Sequence, residues 1–133
     1  MSSIKAKVSH VECCGNLCFV KFDVCEQNLS MVSLELNPKI KVGVEVVLLI
    51  KPSHVAIAKN LSGDLSYSNQ IKVTIDDVQN GEILSSLKLR CQDKIFESFI
   101  TSSSSKRMDL QVGDEVVALI KASEISIGEI LDV

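Results

Sequence analysis

Two stretches of the chain decide its fold: QVGDEVVALIKAS at 111–123 and KVGVEVVLLIKPS at 41–53. Aligned without a gap over 41–58 and 111–128, they share ten of 18 residues. Each has a V-G turn, an apolar run typical of a buried strand, and an ending of lysine, any residue and serine. Such internal similarity indicates a tandem repeat.

The repeat extends to the start of each half. IKAKVSHV at 4–11 matches IKVTIDDV at 71–78 at an offset of 67 residues, whereas the later pair is offset by 70. The second half has therefore gained about three residues, most simply within 100–111. These offsets predict two domains, 1–62 and 66–133, joined through the polar stretch 60–70.

Each half reads as five short strands rich in Val and Ile. The predicted strands are 4–11, 16–24, 29–36, 45–51 and 55–58, then 71–78, 83–91, 94–100, 115–121 and 125–130. Asn80-Gly81 indicates a hairpin, Gly43 and Gly113 are expected at positive φ, and a short helix is expected within 102–109. The predicted fold is all-β: two tandem OB-like five-stranded barrels with a short helix in the second.

Composition narrows the functional classes. A net charge of −3 and 4% aromatic residues argue against a nucleic-acid binder. No apolar run is long enough to span a membrane, and the N-terminus lacks a signal-peptide pattern, so we expect a cytoplasmic protein. Four of the five cysteines cluster at 13–25 without a paired C-x-x-C, which favours reduced core or turn thiols over zinc. The sequence contains no phosphate-loop, nucleophile-elbow or H-E-x-x-H motif, and we therefore do not expect an enzyme.

The segment VGDEVVALIKAS at 112–123 resembles the end of the Mop domain, also called the TOBE domain, the molybdate-binding module of molbindins and of molybdate transport and regulatory proteins. SYSNQIK at 66–72 resembles the S-A-R-N-Q-L-K opening of such domains, with Ser68 in place of the arginine. TSSS at 101–104 resembles the start of their short helix. The first half matches less closely: its opening, MSSIK, lacks the asparagine, and its ending is K-P-S.

The resemblance implies a cytoplasmic protein that binds molybdate or tungstate as an intact oxyanion, for storage or homeostasis of molybdenum. It also implies a homotrimer whose sites lie between subunits, with no direct metal ligands. The oxyanion-binding residues that it indicates are Lys121, Ala122, Ser123, Lys51, Pro52, Ser53, Ser66, Tyr67, Ser68, Asn69, Ser3 and Lys5. A possible second site comprises Thr101, Ser102 and Ser104.

The chemistry of a K-x-S strand end suits this ligand. A tetrahedral dianion presents only acceptors, which backbone N–H groups, hydroxyls and a nearby lysine can satisfy. Pro52 has no backbone N–H, whereas Ala122 has one, so the first K-x-S ending offers one donor fewer than the second. Phosphate carries a proton near neutral pH, and a site built only of donors would leave that proton unpaired at a cost of roughly 1–3 kcal/mol.

Other interpretations remain open from sequence. The K-x-S endings can be solvated strand ends, residues 66–69 a plain linker, and the serine run at 102–105 a helix cap. Ser68, standing where the family has arginine, is compatible with a regulatory or scaffold module that has lost its ligand. An OB-type module that binds nucleic acid or sugar is a further alternative, which the scarcity of aromatic residues disfavours.

Overall fold

The computed structural model describes residues 1–131. Ten strands and one α-helix follow the expected order, and two 3-10 helices that the sequence did not predict lie among them: β1 Ser2–Cys14, β2 Leu17–Val24, β3 Gln27–Leu34, β4 Glu45–Ile50, 3-10 Pro52–His54, β5 Ala56–Ala58, β6 Asn69–Asn80, β7 Leu84–Cys91, β8 Lys94–Thr101, α1 Ser102–Arg107, β9 Glu115–Ile120, 3-10 Ala122–Glu124 and β10 Ile125–Leu131. Within these residues, no helix has the length and apolar character needed to cross a bilayer.

The strands form two five-stranded antiparallel sheets that exchange one strand. Their orders are β10-β4-β1-β2-β3 and β5-β9-β6-β7-β8. Each sheet therefore takes four strands from one repeat and its fifth from the other. The predicted division at 1–62 and 66–133 follows the sequence repeat, whereas the strand pairing crosses it. The all-β prediction, with two five-stranded OB-like units and a short helix in the second repeat, is confirmed.

Alternation of buried and exposed side chains along the strands shows which face of each sheet lines the core. In β2, Cys18, Val20, Phe22 and Val24 are buried on one face, as their period of two predicts. Residues of both repeats join one continuous buried cluster. Because each repeat alone would bury only a thin core, this shared interior favours folding of the two halves together.

The V-G turns are built identically in the two repeats. Gly43 and Gly113 have φ of 95° and 93°, which confirms the expectation from the sequence. The Gly43 N–H donates to the Val8 carbonyl and the Gly113 N–H to the Ile75 carbonyl, each at 2.8 Å. Each glycine thus anchors the start of β4 or β9 beside the irregularity in β1 or β6.

The cysteines differ from the expectation of reduced thiols. Cys13 and Cys18 face each other across the β1–β2 hairpin and form a disulfide, with Cα atoms 4.1 Å apart. The register of the β1–β2 hairpin places Cys13 directly opposite Cys18 and so brings the two sulfurs together. The number and spacing of the cysteines did not predict this pairing. The free thiol of Cys25 donates to the Cys91 carbonyl at 2.8 Å across the repeats. Burial, followed by the neighbouring Cys91 thiol, raises the pKa of Cys25 to about 12.

Candidate oxyanion site

The two K-x-S endings form matching corners. We call Lys51–His54 the first corner and Lys121–Glu124 the second. In each, the lysine is extended and the next three residues turn through a 3-10 helix. The turns are closed by equivalent hydrogen bonds of 2.9 Å, from the His54 N–H to the Lys51 carbonyl and from the Glu124 N–H to the Lys121 carbonyl. The duplicated sequence has therefore produced duplicated geometry.

The polar groups of the corners face solvent. Lys51, Ser53, Lys121 and Ser123 are exposed. Neither lysine forms an ion pair with any residue in 1–131. Their charges and the two hydroxyls are therefore free to meet a ligand or another subunit.

The corners differ at their middle residue. Pro52 is buried, whereas Ala122 is partly exposed. Both occupy the first position of a 3-10 helix, where a backbone N–H has no partner within the helix. Only the second corner has an N–H to donate there, because proline lacks one.

The opening segments lie beside the corners of their own repeats. Asn69 pairs with Ile120 in the β6–β9 ladder, so the preceding residues 66–68 run alongside the second corner. Ser66 and Ser68 are exposed and Tyr67 is half-buried. The opening and the K-x-S ending of the second repeat are therefore neighbours along the β6–β9 ladder, whereas the expected contact between subunits stays a prediction.

The first repeat has the same arrangement with different side chains. Ser2 pairs with Ile50 and Ser3 with Leu49 in the β1–β4 ladder, which brings the N-terminus to the first corner. Lys5 lies further along β1, and its Nζ is 3.9 Å from a Glu45 carboxylate oxygen. Ser3 and Lys5 are both exposed.

Asn69 is placed differently from the other predicted ligands. Its side chain is fully buried and bonds both backbone polar groups of Ser30: Oδ1 accepts from the Ser30 N–H at 2.6 Å and Nδ2 donates to the Ser30 carbonyl at 2.9 Å. In the equivalent place, Ser2 Oγ accepts from the Glu97 N–H at 3.0 Å. The opening of each repeat therefore forms hydrogen bonds with backbone groups in the third strand of the other repeat, β3 or β8. Both are edge strands, whose backbone groups are otherwise unpaired on one side.

The corners also contact the opposite repeat. Ser98 Oγ in β8 donates to the Val55 carbonyl at 2.6 Å, immediately after the first corner. The two corners meet each other directly, since His54 Nδ1 lies 2.8 Å from Glu124 Oε2. Neither His54 nor Glu124 is among the site residues predicted from the sequence. The repeat offset of 70 makes the two positions equivalent and is the sequence signal that relates them.

The residues predicted as a second site lie at the start of α1. Thr101 Oγ1 accepts from the Ser104 N–H at 3.1 Å and so caps the helix. Ser102 is buried, and its Oγ donates to the Gly81 carbonyl at 2.8 Å. These groups fasten the helix to the β6–β7 hairpin, which gives the serine run a structural role.

One protein-family model matches part of the chain. Residues 65–127 match the TOBE domain. This TOBE segment spans the second opening, α1, β9 and the second corner. No curated protein sequence matches the chain.

Among solved structures, the chain is similar to the cytoplasmic molybdate-binding protein ModG in a crystal form with molybdate bound. The TM-score is 0.88 at 22% identity, and the alignment covers 96% of this chain and 94% of that one. The likeness establishes a shared fold across both repeats, including the half that lies outside the TOBE match.

The donor set fits an anion better than a bare cation. Within residues 1–131 no group of three or more His, Cys, Asp or Glu side chains is arranged to hold a metal ion. The second corner instead offers an ammonium, a hydroxyl and a backbone N–H, all of which donate. Such a set can bind a small oxyanion.

Proposed function

We propose that this protein binds molybdate or tungstate as an oxyanion in the cytoplasm and serves molybdenum storage or homeostasis rather than catalysis. The observation that carries the proposal is the duplicated corner, with its exposed lysine and serine beside a serine-rich opening. The TOBE match and the shared fold with molybdate-bound ModG support it. We propose tungstate as well as molybdate because both are tetrahedral dianions with the same arrangement of acceptor oxygens.

We propose further that the protein is a homotrimer in which neighbouring subunits complete the sites. One corner offers too few donors to surround a tetrahedral anion, and its open face leaves room for groups from another chain. Apolar side chains at related positions are also exposed. Leu17 on β2 and Val32 on β3 are 50% and 38% exposed, and the residues equivalent to them in the second repeat, Leu84 on β7 and Phe99 on β8, are 57% and 41% exposed. Association would cover them.

Titration of the purified protein with molybdate tests the binding. Tyr67, the only tyrosine, lies in the second opening, so its fluorescence should report binding alongside calorimetry. Lys121→Ala combined with Ser123→Ala should weaken affinity by at least about tenfold, because charge-assisted hydrogen bonds are lost. The matched control is Lys41→Ala with Ser62→Ala, which removes the same exposed residue types elsewhere.

Absence of heat and fluorescence change with both molybdate and tungstate would overturn the proposal. Phosphate should compete poorly with molybdate, because a site built only of donors leaves its bound proton without an acceptor. Light scattering during gel filtration tests the trimer, which should have three times the 14.5 kDa chain mass. A monomer that binds molybdate tightly would refute the shared sites and retain the binding function.

A further inference from the structure

The two corners are joined by one side-chain contact. His54 and Glu124 each follow the serine of their own corner, and His54 Nδ1 lies 2.8 Å from Glu124 Oε2. Their side chains are 38% and 37% exposed, so the contact is partly shielded from water. The contact crosses between repeats and links residues that the repeat makes equivalent.

Glu124 is unfavourable for the site that it adjoins. A carboxylate next to Ser123 repels a dianion and offers a competing acceptor to the serine hydroxyl and to Lys121. The equivalent position in the first corner is His54, whose ring nitrogen can donate. The contact with His54 Nδ1 directs the Glu124 carboxylate towards the other corner.

We propose that His54 is a positioning residue for the second corner: it holds the Glu124 carboxylate across the repeat boundary, so that Lys121 and Ser123 remain available to the oxyanion. This inference rests on the proposed function and deepens it. It assigns to the first repeat a role in the site of the second, whether or not the first corner binds an anion itself.

A double-mutant cycle on the full chain tests this role, with molybdate affinity measured by calorimetry. His54→Ala should weaken affinity about two- to fivefold, the size expected for one partly exposed contact to a carboxylate. Glu124→Gln should bind at least as tightly as the unmodified protein. Adding His54→Ala to Glu124→Gln should cost nothing further, because no carboxylate remains to be held.

Two further variants separate this role from a general structural one. His54→Asn keeps a donor near the position of Nδ1 and should restore most of the affinity lost in His54→Ala. His10→Ala removes the other histidine, which is 3.3 Å from Glu12 on an exposed part of β1, and should leave affinity unchanged. Thermal unfolding of every variant shows whether it is folded.

Unchanged affinity in His54→Ala would overturn the proposal. A double variant that binds more weakly than Glu124→Gln alone would also overturn it, because His54 would then act without Glu124. Failure of the unmodified protein to bind molybdate is a separate result that overturns the proposed function itself.

Discussion

The side-chain amide of Asn69 forms hydrogen bonds with both backbone polar groups of Ser30 in the other repeat, as a neighbouring strand would. Its amide accepts from the Ser30 N–H at 2.6 Å and donates to the Ser30 carbonyl at 2.9 Å, with no exposed surface. Gln27 does the same for Lys72, with bonds of 2.9 and 3.0 Å to its N–H and carbonyl. Side-chain amides therefore join the repeats where the backbone ladders end.

Asn69→Ala should lower the free energy of unfolding by about 2–4 kcal/mol, because it leaves both Ser30 backbone groups buried without a partner. Urea unfolding followed by circular dichroism measures this change. Ser68→Ala, at the exposed neighbouring position, should stay within about 0.5 kcal/mol of the unmodified protein. Equal stability of the two variants would contradict a structural role for Asn69.

The sequence predicts the strands well because alternation is local. It does not predict their exchange, because β4 and β9 are nearly identical and either could accept Ala56–Ala58 or Ile125–Leu131 as a partner. The choice depends on three-dimensional packing of both repeats, which no single segment encodes.

The site shows the same limit. The K-x-S ending predicts an exposed corner because its polar residues end an apolar run. The burial of Asn69 depends on the free edge of β3, and the His54–Glu124 contact depends on how the repeats pack. The ligand assignments at the corners stay predictions, since they concern contacts with an anion and with other subunits.

Ala122→Pro should weaken molybdate binding about 10- to 100-fold while the fold is kept, if the Ala122 N–H donates to the anion. The backbone accepts proline here, because Pro52 occupies the same position in the first corner and the preceding Lys121 is already extended at φ −68° and ψ 145°. Calorimetry gives the affinity, and Ala122→Ser, which keeps the N–H, is the control. Equal affinity in both variants would remove the amide from the site.

Reduction of the Cys13–Cys18 disulfide should lower the free energy of unfolding by about 2 kcal/mol, the loop-closure entropy expected for so short a loop. Thermal unfolding with and without a thiol reductant measures the effect, and mass spectrometry verifies the gain of two hydrogens. Cys14→Ser should respond to reductant as the unmodified protein does, since Cys14 is free and exposed. A midpoint unaffected by complete reduction would show that the hairpin is held by its ladder alone.

Asp114 should make stability depend on pH in the acid range. The Gln111 backbone N–H, at 3.0 Å, is the main cause that lowers the pKa of this carboxyl, and the Lys59 ammonium at 3.3 Å adds to it. Lys59 also donates to the Met108 and Asp109 carbonyls at 3.0 and 2.9 Å, so it holds the end of α1 from the other repeat.

Because the folded pKa lies below the ordinary value of 3.8, the stabilisation is fully present above that value and is lost as the pH falls through the folded pKa. Asp114→Asn should therefore be less stable than the unmodified protein at pH 6, and the gap should close as the pH is lowered below the ordinary pKa. Urea midpoints from pH 6 downwards measure the gap. Asp64→Asn, in the exposed connection between repeats, should show no such convergence. A gap that is constant with pH would mean that Asp114 acts through packing and not through its charge.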